Sequence, residues 1–236
     1  MTPPKHCFRN HLFSFDAGEL ALHENLMTCV IVGRQSPVRV SNDQDAIDTA
    51  ALCITPGVPH RVHVREGGAD VIYLDGVRLH DHSPDFAALP PEWHALPQAF
   101  HSDDSASIDR FRRLLDTTTT PPDPAVMQIV SRLYDEPFAR LSQLDLAQDL
   151  GLERTQALRH FKATTGQTFR KFKIWAAIVS AARMAHKGEQ IGLAGVEAGF
   201  ADAAHLARTA GTVFGITPTR GLSGLTRMLT LPAPAA

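Results

Sequence analysis

The chain has 236 residues, of which 44% are hydrophobic and 20% are charged, and its formal net charge is −2 at pH 7. This length predicts two domains, because one hydrophobic core typically covers roughly 100–150 residues. There is no apolar run of about 18 residues and no apolar secretion segment at the N-terminus, which argues against a membrane span and against export. Three cysteines without CxxC spacing (Cys7, Cys29 and Cys53) fit a reduced, cytoplasmic compartment.

The charge is distributed unevenly along the chain. Residues 1–124 carry 10 Lys and Arg against 17 Asp and Glu, a net charge of −7. Residues 125–236 carry 13 against 8, a net charge of +5. A basic half favours a polyanionic partner, since neutralisation of phosphates supplies most non-specific affinity for nucleic acid. The acidic half is expected to serve another purpose.

The first 79 residues have the pattern of a β-rich domain. Apolar runs alternate with turn-forming segments, and short strands at regular spacing are typical of a small barrel or a double-sheet sandwich. The predicted strands are Met27–Gly33, Pro37–Val40, Ala50–Thr55, Val62–Val64 and Ala69–Leu74. Residues 84–97 are rich in proline and are predicted to be irregular.

The middle of the chain contains a domain boundary. Ile108–Leu115 has the spacing of a short amphipathic helix, and the prolines of residues 117–124 forbid helix continuation. The predicted organisation is a β-rich domain at 1–116 that ends in this helix, a linker at 117–124, a helical domain at 125–224 and a tail at 225–236.

The helical domain contains one motif twice, at residues 141–166 and 191–218. Each copy has two short helices around a glycine-containing turn, which is typical of a helix-turn-helix whose second helix can lie in a DNA major groove. An uninterrupted helix from Phe169 to His186 would join the copies. The glycines at the turn and at the end of the second helix are Gly151 and Gly166, then Gly199 and Gly215.

In the first copy, the recognition helix is expected to begin near Arg154. Arg159 is the strongest candidate for base contact, because a guanidinium can donate two hydrogen bonds to guanine; its alternative role is a solvated or ion-paired surface residue. Gln156 suits adenine, whereas Arg154, His160 and Lys162 are better suited to phosphates. The predicted DNA-binding residues of this copy are Arg154, Thr155, Gln156, Leu158, Arg159 and Lys162.

The second copy offers weaker chemistry. Asp202 is the predicted N-cap, and His205 and Arg208 are spaced to face the same groove. Alanine side chains can give only apolar contact, so this copy is expected to discriminate bases less sharply. Its predicted DNA-binding residues are Ala203, Ala204, His205, Ala207 and Arg208.

Residues 125–222 resemble the DNA-binding domain of the AraC/XylS family of bacterial transcription regulators. The resemblance implies two helix-turn-helix subdomains on one linker helix, which enter successive major grooves. Glu153 stands where the family usually has a Ser or Thr cap, and Ala210, Gly211 and Thr212 replace an aromatic and basic residues. The matching residues are Leu146-Ala147, Gly151-Leu152, Arg159, Phe161-Lys162, Thr165-Gly166, Phe169-Arg170, Ala198-Gly199-Phe200, Asp202, His205-Leu206, Arg208, Phe214-Gly215 and Thr217-Pro218.

Leu20–Asp75 resembles the cupin-like sensor domain of many such regulators, and Ile54–His60 is similar to the Pro-Gly-x-x-His corner of cupins. The resemblance makes His23, His60 and His63 candidates for an effector pocket. No metal and no cofactor is predicted, because the HxH pair and following carboxylate of catalytic cupins are missing. Cys29 and Cys53 lie in apolar strands and are expected to be buried and inert.

The predicted fold class is α+β and multidomain, with an N-terminal cupin-like β-barrel and a C-terminal all-α domain. The predicted function is sequence-specific transcription regulation by a bacterial protein that is cytoplasmic, associates with the nucleoid when bound and is not an enzyme. Expected partners are double-stranded DNA, a second copy of the chain, a small-molecule effector and RNA polymerase. Two alternatives stay open: a cupin-type metal-binding protein or enzyme with an accessory helical domain, and a regulator that works through protein contacts without direct base readout.

Overall fold

The computed structural model describes residues 8–80, 82–118, 121–139 and 141–233. The strands are β1 Arg9–Phe15, β2 Gly18–Glu24, β3 Thr28–Gly33, β4 Val38–Ser41, β5 Ala46–Thr49, β6 Ala51–Ile54, β7 Pro59–Val64, β8 Ala69–Leu74, β9 Phe86–Ala88 and β10 Leu225–Pro232. The helices are α1 Ala95–His101, α2 Ser105–Leu115, α3 Pro124–Asp135, α4 Gln143–Leu150, α5 Arg154–Thr165, α6 Phe169–His186, α7 Ile191–Glu197, α8 Ala203–Phe214 and α9 Pro218–Gly224. Cys7 lies outside the described residues.

The strands form two antiparallel sheets, in the orders β10-β1-β8-β3-β6-β9 and β2-β7-β4-β5. Alternate residues of the six-stranded sheet face opposite sides. Ile31 belongs to the core shared with Val40 of the smaller sheet, whereas Val30 packs with Phe100 of α1 and Ile108 of α2. Because both faces of the larger sheet are covered, its central strands are continuous apolar runs.

The predicted fold class is confirmed: β-structure precedes a helical domain with two helix-turn-helix units joined by one long helix. The five predicted strands correspond to β3, β4, β6, β7 and β8. Residues 84–97 are not irregular, which corrects the prediction. They form β9, a 3-10 turn at Pro91–His94 and the first turn of α1, because Trp93 and Leu96 are buried against the larger sheet.

The prediction of a tail after residue 224 is also corrected. Residues 225–232 form β10, which pairs antiparallel with β1 at the edge of the N-terminal sheet, with Leu229 opposite Leu12. Pairing satisfies backbone groups that the edge of β1 would otherwise leave open. The segment after α9 therefore returns to the N-terminal sheet, and the helix-turn-helix region is attached to the N-terminal domain at both of its ends.

Local capping explains where the helices of the C-terminal domain begin. Ser142 and Asp145 form the predicted capping box of α4, and Thr168 caps α6 by accepting a hydrogen bond from the backbone N–H of Lys171. The predicted helix Phe169–His186 is α6, and its buried residues include Phe172 and Trp175. None of the helices within the described residues has both the length and the apolar character that crossing a membrane requires.

Candidate DNA interface and interdomain cavity

The first helix-turn-helix comprises α4 and α5. Gly151 ends α4 in the left-handed conformation, with φ of 61°, and lets the chain turn into α5. Ala157 and Phe161 are buried against the domain core, so the opposite face of α5 points outward. Leu158 is half-buried and packs against that core. The exposed candidates on α5 are Arg154, Thr155, Gln156, Arg159 and Lys162.

Two neighbouring side chains of α5 have different environments. Arg159 is exposed and pairs with no acidic side chain among the described residues. His160 instead lies 2.6 Å from Asp123, the N-cap of α3, measured from Nε2 to Oδ2. This hydrogen bond is the main reason why the pKa of Asp123 is lowered. The Nε2 of His160 thus holds the N-cap of α3, and its phosphate contact stays a prediction.

The second helix-turn-helix comprises α7 and α8. Asp202 caps α8, as predicted, by accepting a hydrogen bond of 2.6 Å from the backbone N–H of His205. The His205 ring turns back towards its own turn: its Nδ1 accepts from the Ala201 N–H at 3.4 Å, and it packs edge-on against Phe200. Of the other candidates, Ala203, Ala204 and Arg208 are exposed and Ala207 is half-buried.

A buried carboxylate joins the two domains. Asp75 follows β8, is 0% exposed, and accepts a hydrogen bond of 2.9 Å from the Trp175 indole N–H on α6. It also accepts from the Tyr134 hydroxyl on α3 and, at 3.3 Å, from the backbone N–H of Arg9. Burial raises the pKa of Tyr134 well above its usual range, so this hydroxyl stays a donor. We call these four residues the Asp75 network.

A second attachment holds the end of α8. The backbone N–H of Ala21 on β2 donates to the carbonyl of Gly215 at 2.9 Å. Gly215 is the left-handed C-cap of α8, with φ of 69°. A Cβ at this position would lie 2.3 Å from the Ala21 carbonyl oxygen and 2.8 Å from His23 Nδ1. Only glycine permits so close an approach of the two backbones.

The three candidate effector histidines do not form one site. His23 and His60 are buried with ring centroids 4.2 Å apart, and each Nδ1 donates to a nearby backbone carbonyl. Burial, followed by the neighbouring His60, lowers the pKa of His23 to about 4. His63 lies on the outer face of β7, where it contacts Glu19 at 3.2 Å. The odd spacing of His60 and His63 already assigns them to opposite faces of a strand.

An apolar cavity of about 80 Å³ lies between the domains. The larger sheet contributes three aromatic residues, and the helix-turn-helix region contributes the opposite wall from α6, α7, α8 and α9. Neither His23 nor His60 lines it. The lining residues of this interdomain cavity are Phe13, Phe15, Tyr73, Ile178, Ala181, Ala182, Ile191, Leu206, Ala210, Phe214, Ile216, Thr217, Pro218, Gly221, Leu222 and Leu225.

The cysteines and potential metal ligands are placed as follows. Cys29 and Cys53 are buried, as predicted, on opposite faces of the larger sheet. Burial raises the pKa of both thiols, to about 12 for Cys53. Within the described part of the chain, no three His, Cys, Asp or Glu side chains converge as metal ligands do.

A family model described as "Helix-turn-helix domain" matches residues 146–222, which extend from within α4 through both recognition helices to α9. The chain carries an AraC-type helix-turn-helix domain. No curated protein sequence matches the chain.

Solved structures of ToxT from Vibrio cholerae share the two-domain fold. The apo form of a ToxT point variant has a TM-score of 0.60 and 11% identity, over 92% of this chain and 97% of ToxT. ToxT bound to (E)-4-(8-methylnaphthalen-1-yl)but-3-enoic acid has the same TM-score and identity, over 93% and 99%. Wild-type ToxT bound to an unsaturated fatty acid has a TM-score of 0.53 and 10% identity, over 94% and 97%.

Sequence reasoning did not identify the groups that connect the AraC-type domain to the sheets. Phe13, Tyr73 and Phe214 have the pattern of ordinary core residues, and apolar residues on different elements carry no local signal of a shared cavity. Asp75 could have been noticed, because a carboxylate directly after a fully buried strand needs partners when it is buried.

Proposed function

We propose that the chain is a sequence-specific DNA-binding transcription regulator whose N-terminal domain senses a small effector. The AraC-type helix-turn-helix domain supports DNA binding. The observation that carries the proposal is the outward face of α5, where Arg159 is exposed and unpaired among the described residues, beside Gln156 and Lys162. Such a face combines a donor pair for guanine with side chains for adenine and phosphate.

In this proposal, the first copy supplies most of the base readout and the second copy supplies positioning. The candidates on α5 are polar or cationic, whereas α8 offers small apolar side chains, Arg208 and a His205 ring that faces its own turn. Enzymatic activity is not proposed. Homodimerisation, contact with RNA polymerase and association with the nucleoid stay predictions of the sequence.

The test is a DNA-binding titration on sites first identified by genome-wide mapping of the tagged protein. Arg159→Ala is expected to weaken specific binding by about 1–3 kcal/mol and to relax the preference at one base pair. Arg110→Ala, which changes an exposed arginine of α2 outside the helix-turn-helix region, is the matched control. Unchanged specific affinity in Arg159→Ala at the same salt concentration would remove α5 from the interface.

We further propose that the interdomain cavity is the effector site. Its position supports this, because one wall belongs to the sensor domain and the other to the second helix-turn-helix. The ToxT structures with an unsaturated fatty acid and with a naphthyl butenoic acid, which are largely apolar molecules with one carboxyl group, support a small molecule with a large apolar part as the effector. Coupling would arise if the effector bound two arrangements of the domains with different affinities.

The alternative function, a cupin-type metal-binding protein or enzyme, has a direct test. Metal analysis of the purified protein, with His60→Ala for comparison, would support it if a stoichiometric metal were found and lost in the variant. A chain that binds DNA specifically without such a metal would support the regulator instead.

A further inference from the structure

The lining of the interdomain cavity carries no charged side chain. The sheet wall is formed by the rings of Phe13, Phe15 and Tyr73, and the helix wall by aliphatic residues together with Phe214, Thr217 and small residues. Among the residues that line it, none is Lys, Arg, His, Asp or Glu. The lining therefore offers no cation to pair with an acidic ligand.

The polar groups at the wall already have partners. The Tyr73 hydroxyl donates to Asn25 Oδ1 at 3.3 Å and leaves its ring towards the cavity. The Thr217 hydroxyl accepts the backbone N–H of Arg220 at 3.3 Å as the N-cap of α9. The Tyr73 hydroxyl therefore cannot donate to a carboxylate or a phosphate without losing its bond to Asn25, and the Thr217 O–H is the one side-chain donor that the lining leaves available.

We propose that this cavity binds an uncharged apolar molecule, of the class of small aromatic hydrocarbons, and rejects the corresponding carboxylates. This inference rests on the proposed function only in taking the cavity as the effector site. A carboxylate loses its hydration when it is buried here and gains at most one hydrogen bond, from the Thr217 hydroxyl, and no cation, whereas an apolar cavity lined by aliphatic and aromatic side chains accepts benzene-like molecules.

The size of the cavity indicates how such a ligand acts. Its volume is about 80 Å³, whereas pockets for drug-sized ligands are on the order of 300–1,000 Å³. An occupant with one or two aromatic rings therefore has to separate the walls. Leu206 and Phe214 on α8 and Leu222 on α9 form the wall opposite the sheet. The ligand thus acts as a wedge that moves the second helix-turn-helix relative to the sensor domain.

The test is isothermal titration calorimetry of the full chain with two matched pairs of probes. Toluene and naphthalene are the neutral probes, and benzoate and 1-naphthoate are their anionic partners. The neutral member of each pair is expected to bind at least about tenfold more tightly. Equal or tighter binding of the anions overturns the proposal, and so does the absence of binding by all four probes.

Three variants test where the probes bind. Ala182→Leu fills the cavity from α6 and is expected to abolish binding of the neutral probes, whereas Ala185→Leu on the same helix, outside the lining, is expected to retain it. Leu222→Lys places a cation at the wall and is expected to give 1-naphthoate a gain of about tenfold or more. Far-UV circular dichroism establishes that each variant is folded. Retention of binding in Ala182→Leu contradicts the assigned site.

The outcomes separate the two proposals. Specific DNA binding by a chain that takes none of the neutral probes overturns the ligand class and leaves DNA recognition standing. Neutral-probe binding by a chain without sequence-specific DNA affinity supports the ligand class and overturns the proposed function.

Discussion

The two helix-turn-helix copies share a scaffold but differ in what surrounds them. The recognition helix of the first copy, α5, exposes Arg159 and Lys162 and contributes nothing to the interdomain cavity. The recognition helix of the second copy, α8, lines that cavity and ends against β2 through Gly215. In the proposed function these two helices have different tasks: α5 presents polar side chains to DNA, and α8 packs along the interdomain cavity. The first copy also touches the N-terminal domain, but only at its end, where Arg78 donates to the Ala163 carbonyl and Gln167 donates to the Leu26 carbonyl at 2.6 Å.

The strongest test of the contact between α8 and β2 is a methyl group at Gly215, with the left-handed but uncrowded Gly151 as the control. Gly215→Ala is expected to cost about 3–4 kcal/mol of unfolding free energy, because the left-handed φ is disfavoured and the new Cβ meets the Ala21 carbonyl. Gly151→Ala in the first copy has the same type of φ but open space, so it should cost about 1 kcal/mol. Urea denaturation measures both. Equal costs would show that the close approach of Ala21 adds nothing to the cost of the left-handed φ at Gly215.

Acid should destabilise the protein through His23, next to the end of α8. His23 lies under Gly215 and has its pKa lowered to about 4, from an ordinary value of 6.5. A histidine with a lowered folded pKa binds its proton more readily in the unfolded chain. The contribution of His23 to the free energy of unfolding is therefore complete above about pH 6.5. It declines as the pH falls towards 4, by up to about 3 kcal/mol.

Urea denaturation across this pH range measures how steeply the free energy of unfolding depends on pH in the wild type and in His23→Asn. The variant should lose much of the slope, leaving the part due to His60, whose pKa burial also lowers. His186→Gln, at an exposed histidine of α6, is the control for losing a histidine as such. An unchanged slope in His23→Asn would contradict the assignment.

The Asp75 network should stabilise the contact of α3 and α6 with the N-terminal domain. Asp75→Asn replaces one acceptor oxygen with a donor, which leaves a buried hydrogen-bond partner unsatisfied, and should cost about 2 kcal/mol. Hydrogen exchange should then rise in α3 and α6 more than in α8. Asp70→Asn is the matched control, because this buried carboxylate bonds Ser14 within the N-terminal sheet. An equal rise in α8 would mean that both copies share one attachment.

The smallest expected effect is on DNA affinity. Arg208→Ala should weaken specific binding by less than about 1 kcal/mol, below the loss in Arg159→Ala, because few polar side chains accompany Arg208 on α8. Fluorescence anisotropy on one mapped site at fixed salt compares the two variants. A loss in Arg208→Ala as large as that in Arg159→Ala would make the copies equal partners in recognition.

The elements that could be predicted from the sequence are those specified by residues close to them along the chain. The Ser142–Asp145 capping box and the Asp202 cap lie within a few residues of the helices they begin, so helix starts could be predicted. β1 was not predicted, since it is buried on both faces and carries the polar residues Asn10 and His11. The DNA contacts themselves stay predictions, although the structure shows which side chains are exposed to make them.

The sequence by itself determined the repeat, the turns and caps of the helices, the linker helix and the uneven charge, because these depend on neighbours within a turn or two. The tertiary structure alone decided that β10 returns to pair with β1, that Asp75 meets Trp175 and that an uncharged cavity forms under α8. Each of these joins residues about 100 or more positions apart, and no local pattern specifies which distant surfaces meet. The copies therefore resemble each other in sequence and differ in what packs against them.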